Sequence, residues 1–161
     1  INAMYIGLGA RFVWISNGTR RFWGMQWLSY LSSMFLLLFE RKLHRIDMKI
    51  NGEHIQDTIM TVCIGSARGY GLTPSAVPYN GWLDVSVVYR PELLQLIKGL
   101  WLLVNGRLLN LKVVKPYRTH KVKILRAQNA AISLDGRQLY YDESSLDVRI
   151  LLEALTLIIP K

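Results

Sequence analysis

The acidic side chain best placed to do chemistry is Asp135, the first residue of an Asp-Gly turn in the C-terminal part of the sequence. A carboxylate at a turn is accessible, and within hydrogen-bond reach of a hydroxyl group it can accept the proton as a general base. The Asp-Gly dipeptide is also what a tight hairpin turn requires for structural reasons. Spacing alone therefore makes Asp135 a candidate catalytic base, and it leaves both the catalytic and the structural interpretation open.

A second feature is a basic stretch, because no acidic residue occurs between Leu93 and Leu134. Two of its lysines, Lys121 and Lys123, share one face of a predicted strand, since successive side chains of a strand point to opposite sides. Such a concentration of charge is either a solvated face or a surface that binds anionic lipid or nucleic acid. The stretch contains Lys98, Arg107, Lys112, Lys115, Arg118, Lys121, Lys123 and Arg126.

The other reactive side chains fit no catalytic or metal-binding pattern. The glycine-rich loop over residues 65–71 lacks the Gly-Lys-Ser/Thr ending of a P-loop and the dinucleotide-binding fingerprint, which favours a structural loop. Cys63 lies inside an apolar segment and is interpreted as a core residue rather than a nucleophile. The histidines lie far apart in the sequence and match no spacing of zinc ligands.

Composition restricts the class of protein. The chain has 161 residues, enough for one domain with its own core, and 51% of them are hydrophobic, which excludes a disordered protein. A single cysteine excludes an internal disulfide framework. The net charge of +9 favours an anionic partner, and the most apolar run, Trp27 to Phe39, is too short to span a membrane. The start at Ile1-Asn2-Ala3, without an initiator methionine, predicts a piece of a longer protein.

Alternating apolar residues and turn dipeptides predict a chain made mainly of strands, with helices over residues 24–40 and 91–106. Asn51-Gly52 and Asp135-Gly136 are hairpin signals, which join antiparallel strands. Because the helices do not alternate with the strands, the predicted fold is mainly β, an antiparallel β-sandwich with two helices. The predicted strands cover residues 3–15, 43–50, 54–64, 83–89, 111–115, 119–126, 130–134, 137–141, 146–152 and 155–159.

Several short motifs follow one another in an order that is more specific than any of them alone. They are Asn2-Ala3-Met4-Tyr5-Ile6-Gly7-Leu8-Gly9-Ala10, then Thr61-Val62-Cys63-Ile64-Gly65 with Gly69-Tyr70-Gly71, then Pro74-Ser75-Ala76, Asn80-Gly81-Trp82-Leu83-Asp84-Val85 and Leu134-Asp135-Gly136-Arg137. The ordered set resembles the C-terminal domain of the diacylglycerol kinase and sphingosine kinase superfamily, which includes bacterial lipid kinases. The likeness covers nearly the whole chain.

In that superfamily this region is a β-sandwich, as in the NAD kinase and diacylglycerol kinase-like fold, and carries the lipid side of the active site. A separate N-terminal domain binds ATP through a Gly-Gly-Asp-Gly-Thr motif, which this sequence lacks. The resemblance therefore implies that residues 1–161 form one lipid-kinase C-terminal domain, inactive without its ATP-binding domain. ATP and Mg²⁺ are the implied cofactors of the full-length protein, and the implied substrate is a lipid hydroxyl of diacylglycerol or a sphingoid base.

The resemblance assigns roles to a few residues. Asp135 matches the aspartate of the family's Asp-Gly-Glu turn, which is thought to be the general base on the lipid hydroxyl. Arg137 stands where the family has glutamate, and an arginine there is expected to contact phosphate or headgroup. Lys121 and Lys123 are the basic residues expected to assist it.

The resemblance also implies a metal site in the loop before the strand at residues 83–89. Bacterial members bind Mg²⁺ at their Asp-Gly-x-Leu loop, through the Asp and nearby backbone carbonyls, and the corresponding residues here are Val77, Asn80 and Trp82. Asn80 replaces the family's aspartate, so the side-chain oxygen is kept while its charge is lost. Hard divalent cations favour carboxylate oxygen.

The expected partners are a lipid substrate, a membrane surface and the protein's own N-terminal nucleotide-binding domain, with a homodimer left open. This combination predicts a cytoplasmic protein bound peripherally at the inner face of the membrane. One alternative is a non-catalytic module that binds anionic lipid or membranes, because Asn80 and Arg137 both replace acidic family residues. A nucleic-acid-binding β-domain is suggested by charge alone and is less favoured, since no aromatic-rich strand for base stacking is evident.

Overall fold

The computed structural model describes residues 2–11, 42–67, 73, 75–78, 80–105 and 107–151. Nine antiparallel strands dominate this part of the chain, and no helix within it is long and apolar enough to cross a membrane. In chain order the elements are β1 (Ala3–Gly7), β2 (His44–Ile50), β3 (Glu53–Gly65), β4 (Leu83–Tyr89), α1 (Leu93–Val104), a 3-10 helix (Leu108–Asn110), β5 (Val114–Thr119), β6 (Lys121–Ala127), β7 (Ile132–Leu134), β8 (Arg137–Leu139) and β9 (Leu146–Arg149).

The long strand β3 is the centre of the sheet. Its second half, from Thr61 to Gly65, pairs with β1 on one side and β4 on the other, whereas its first half pairs with β2. The strands follow the order β8-β7-β1-β3-β2-β6-β9, and β4 joins β3 to β5. This curled antiparallel sheet confirms the predicted mainly β, sandwich-like fold.

Two apolar clusters stabilise the sheet from its opposite faces. Met4 and Ile6 of β1 point into the larger cluster, to which β2, β3, β4 and β6 also contribute. Tyr5 and Cys63 belong to the second cluster, which α1 completes through Leu102. Burial raises the pKa of the Cys63 thiol to about 12, so this residue behaves as the predicted core residue.

The two predicted hairpin turns are present. Asn51 and Gly52 join β2 to β3 with φ values of 52° and 82°, and Asp135 and Gly136 join β7 to β8 with φ values of 46° and 86°. Positive φ at both central residues is the geometry of the hairpin turn that matches strand twist, and Asn, Asp and Gly adopt it at least cost.

Helix α1 packs on the second cluster through Leu102. Leu102 is buried in the second cluster, and a Cβ atom on Gly99 would lie 3.2 Å from the Leu111 side chain, so helix and loop are in close contact here. At the C-terminal end, the Asn105 side chain donates to the Trp101 carbonyl at 2.8 Å, and the N–H of Arg107 donates to the Leu102 carbonyl at 2.8 Å. These bonds satisfy carbonyl groups that a helix end leaves without partners.

The structure corrects the strand predicted over residues 3–15. Strand β1 ends at Gly7, and residues 8–11 are helical. Gly7 has a φ of 82°, and a Cβ atom at this position would lie 2.7 Å from the Met60 carbonyl oxygen. The chain therefore turns at a position that only glycine fits.

The strands predicted over residues 111–115 and 119–126 were also wrong in their limits, because β5 runs through Pro116 from Val114 to Thr119. In the described part of the chain β5 pairs with β4 alone, so it is an edge strand there. An edge strand tolerates proline, which cannot donate a backbone hydrogen bond. Strands β7, β8 and β9 are shorter than predicted. The predicted helix over residues 24–40 and the predicted strand over residues 155–159 lie outside the described residues.

Candidate active site

Asp135 lies at the end of the sheet where β1 begins, and its carboxylate is fixed by two backbone donors. Oδ1 accepts hydrogen bonds from the N–H groups of Asn2 and Ala3, each at 2.8 Å. The N–H of Asp135 donates in turn to the Ala3 carbonyl at 2.9 Å. Both bonds are made to Oδ1, and Asp135 is exposed.

The start of β1 also fixes the glycine-rich loop that follows β3. The Asn2 carbonyl accepts hydrogen bonds from the N–H groups of Ser66 and Ala67 at 3.0 and 3.3 Å. The hydroxyl of Thr73 donates to the Ala67 carbonyl at 3.1 Å, and a Cβ atom on Gly65 would lie 2.9 Å from that hydroxyl. The opening motif, the first residues of the glycine-rich loop and the Asp-Gly turn therefore meet at one end of the sheet.

Arg137 belongs to the same hairpin as Asp135. It is the first residue of β8, it pairs with Leu134 across the turn, and it is exposed. No ion pair joins it to another residue in the described ranges. A guanidinium is the side chain that can bind a phosphate through two parallel N–H groups.

An ion pair that sequence reasoning missed lies across the sheet from this turn. Ala3 pairs with Gly65, Gly65 with Asp84, and Asp84 with Arg118, so these residues form one row across β1, β3, β4 and β5. The Asp84 side chain is only 12% exposed, and its Oδ1 accepts a hydrogen bond from Arg118 Nε at 2.8 Å. This hydrogen bond raises the pKa of the Arg118 guanidinium above its usual value.

A cavity of about 250 Å³ lies beside the ion pair. Both charged side chains and several hydroxyl-bearing side chains line it, so a polar ligand is the kind that it suits. The polar lining residues are Thr73, Ser75, Asp84, Ser86, Tyr117 and Arg118.

The sequence contained one indication of the ion pair between Asp84 and Arg118. Asp84 is the one charged residue of the mostly apolar strand β4, and a buried carboxylate requires a cationic partner or several hydrogen-bond donors. Its partner could not be identified, because Arg118 fell in the gap between two predicted strands and had no predicted register. The pairing follows only from the observed limits of β5.

The loop that contains the predicted metal ligands is held by its own contacts. Asn80 Oδ1 accepts a hydrogen bond from the Trp82 N–H at 2.9 Å, which closes a turn. The Trp82 ring packs on His120 with 3.7 Å between ring centroids, and His120 Nδ1 donates to the Gly81 carbonyl at 2.8 Å. Val77 is exposed.

A divalent cation in this loop would depend mainly on backbone carbonyl groups. The side chains of Val77, Asn80 and Trp82 offer one oxygen, which is uncharged and already accepts a hydrogen bond. No group of three or more His, Cys, Asp or Glu residues that could hold a metal occurs in the described ranges. The Mg²⁺ site therefore stays a prediction, and no step proposed below uses it.

Lys121 and Lys123 lie on β6, which β1, β3 and β2 separate from β7 in the sheet. Lys121 forms an ion pair with Asp147 at 2.8 Å and follows directly after His120, the residue that contacts the loop at Gly81. Lys123 is exposed and pairs in register with Asp147 of β9. No contact joins either lysine to Asp135 in the part of the chain that the structure describes, so their predicted role stays a prediction.

Many solved structures share this fold, among them two bacterial proteins. A candidate diacylglycerol kinase from Bacillus anthracis strain Sterne is 16% identical, with a TM-score of 0.59, and the alignment covers 92% of this chain and 47% of that one. Another from the same strain is 13% identical, with a TM-score of 0.56 and coverages of 92% and 48%. This chain thus spans about half the length of these proteins. A search of curated protein sequences found no match.

A family model identifies the chain from its sequence. The model for the YegS C-terminal NAD kinase beta sandwich-like domain matches residues 2–159. This match covers nearly the whole chain and confirms the resemblance that the ordered motifs carry. The chain therefore belongs to the family of YegS C-terminal NAD kinase beta sandwich-like domains.

Proposed function

We propose that this chain is the lipid-substrate half of an ATP-dependent lipid kinase, which phosphorylates a hydroxyl group of diacylglycerol or a sphingoid base. The observation that carries the proposal is the exposed carboxylate of Asp135, anchored through Oδ1, with the exposed Arg137 in the same hairpin. The two similar structures, both of candidate diacylglycerol kinases, support the choice of substrate class.

In the proposed reaction, Oδ2 of Asp135 accepts the proton of the lipid hydroxyl while the hydroxyl oxygen attacks the γ-phosphorus of ATP. The new phosphorus–oxygen bond forms as the bond to the β-γ bridging oxygen breaks, and ADP leaves. The hydrogen bonds from Asn2 and Ala3 hold the carboxylate in a fixed orientation, so little reorganisation accompanies the transfer. Arg137 contacts the transferred phosphate, and an N-terminal nucleotide-binding domain holds the ATP.

The test is transfer of labelled phosphate from ATP to a panel of lipids by the full-length protein, in which a nucleotide-binding domain precedes this chain. We expect transfer to one lipid class and a fall in kcat of about 10²–10⁴-fold for Asp135→Asn. The amide oxygen of Asn can still accept both backbone hydrogen bonds, so the variant removes the base and keeps the anchor. Asp57→Asn is the matched control, because Asp57 is exposed on β3 outside the site.

Two results would contradict the proposal. If the folded protein binds ATP but transfers phosphate to no lipid, the non-catalytic membrane-binding module replaces the kinase. If Asp135→Asn transfers phosphate as fast as the Asp57→Asn control, Asp135 is not the base.

A further inference from the structure

Helix α1 exposes an apolar face that no described residue covers. Leu94, Ile97 and Trp101 are 79%, 55% and 66% exposed. Residues at spacings of three and four line one side of a helix, so these three form a continuous strip. Gly99 and Leu102 are buried on the side of the helix that packs on the sheet, with Leu102 about 100° around the helix from Trp101.

One basic residue of the helix, Lys98, borders this strip, and further basic residues follow the helix in sequence. Lys98 is exposed one turn from Leu94 and Trp101, and Arg107 and Lys112 are exposed in the segment that follows the helix. The acidic residue nearest in sequence is Glu92, which lies just before the helix, and the next acidic residue after it is Asp135. An anionic surface is therefore the partner whose charge complements this side of the molecule.

We propose that this face, formed by Leu94, Ile97, Lys98 and Trp101, docks the protein on an anionic lipid bilayer. An apolar strip beside basic residues is how an amphipathic helix lies in the membrane interface, where tryptophan is the favoured aromatic residue. Lys98 meets the headgroup phosphates while Leu94 and Ile97 enter the boundary of the acyl region. The inference rests on the proposed function in one respect, that the substrate of a lipid kinase lies in a membrane.

The first test is cosedimentation of the 161-residue chain with vesicles of phosphatidylcholine alone or of phosphatidylcholine and phosphatidylglycerol. We expect binding to the anionic vesicles that weakens with added salt. The double variant Ile97→Ser/Trp101→Ser should lower the partition coefficient about tenfold or more, and Lys98→Glu should lower it as well. Tyr140→Ser is the matched control, because Tyr140 is 97% exposed on another part of the surface and should not alter binding.

A second test reports where the protein meets the bilayer. A polarity-sensitive fluorophore attached to Ile97→Cys should increase in intensity and shift to the blue with anionic vesicles, whereas the same probe on Gln56→Cys should not. Gln56 is exposed on β3. The native Cys63 does not interfere, because it is fully buried and its thiol pKa is raised to about 12.

Three results would overturn the inference: no binding to anionic vesicles, equal binding by the double variant and the wild type, or a solution dimer that the double variant dissociates. The last result would make the strip an interface between two copies of the chain. Vesicle binding requires neither ATP nor phosphate transfer, so a failed docking test leaves the kinase proposal standing. A failed transfer assay would likewise leave the docking surface intact.

Discussion

At the scale of the residue, Asp135 shows what a local signal can and cannot predict. The Asp-Gly turn is visible in two adjacent letters, and the structure confirms it with positive φ at both residues. The anchoring of its carboxylate is not visible there, because the donors Asn2 and Ala3 lie more than 130 residues away in sequence. Arg118 and Asp84 were missed for the same reason, since their contact depends on strand register.

The two functions of Asp135, in the turn and as an anchor, lead to a prediction about stability. Asp135→Ala removes the acceptor of two backbone N–H groups and places a residue that disfavours positive φ at a φ of 46°. We expect the free energy of unfolding to fall by about 2 kcal/mol, as measured by urea denaturation of the chain.

Asp135→Asn is the comparison that separates anchoring from charge. Asn keeps an acceptor oxygen and tolerates the left-handed conformation, so the free energy of unfolding should change by less than about 1 kcal/mol. If the Ala variant is as stable as the Asn variant, the two hydrogen bonds do not hold the turn against β1.

At the scale of the element, the existence of strands was easier to predict than their ends. Alternating residues and hairpin dipeptides located most strands, because these signals are local. The ends of β1 and β5 depended on tertiary contacts: Gly7 meets the Met60 carbonyl, and Pro116 is accepted because β5 pairs only with β4 in the described part of the sheet. Helix α1 was predicted within about two residues at each end.

The segment after β8 offers a test of how one element is held to the next. Glu143 Oε1 accepts the N–H of Asn129 at 2.9 Å, and Oε2 accepts a hydrogen bond from Arg126 at 3.1 Å. These two partners, the Asn129 N–H first, lower the pKa of Glu143 below its usual value of 4.5. The contribution of the carboxylate to stability is therefore complete above about pH 4.5 and is lost as the pH falls through the lower folded-state pKa.

We expect the Glu143→Gln variant to have a lower Tm than the wild type near neutral pH. Between about pH 6 and about pH 3 the Tm of the variant should fall by less than the Tm of the wild type. The two Tm values should therefore approach each other in acid. Glu92→Gln serves as the control, because the hydrogen bond between Glu92 and the Gln95 side chain is made by the Glu92 backbone N–H and not by its carboxylate. Parallel Tm curves for Glu143→Gln and the wild type would show that Glu143 does not connect this segment to β6.

At the scale of the whole molecule, β3 connects two groups of strands. Strands β1, β7 and β8 attach to its second half, and strands β2, β6 and β9 attach to its first half. The fold class was predictable from strand-forming segments and hairpin turns, whereas this strand order was not. The change of partner occurs around Ile59, where the pairing of β3 with β4 is irregular between Ile59 and Thr61, and no local pattern in the sequence marks it.

This arrangement predicts that the two groups of strands unfold together. Ile59 is fully buried and pairs with both His44 and Tyr89. The variant Ile59→Ala should therefore lower the free energy of unfolding by about 3 kcal/mol. It should also lower the hydrogen-exchange protection of amides in β1 and β6 equally. Ile55→Ala, in the half of β3 that pairs with β2, should also lower protection in both groups, because both contribute to the larger cluster. Loss of protection in β6 alone would instead show that β2, β6 and β9 form a separate unit. The row of residues from Ala3 to Arg118 would then remain folded without these strands, because it uses only the second half of β3.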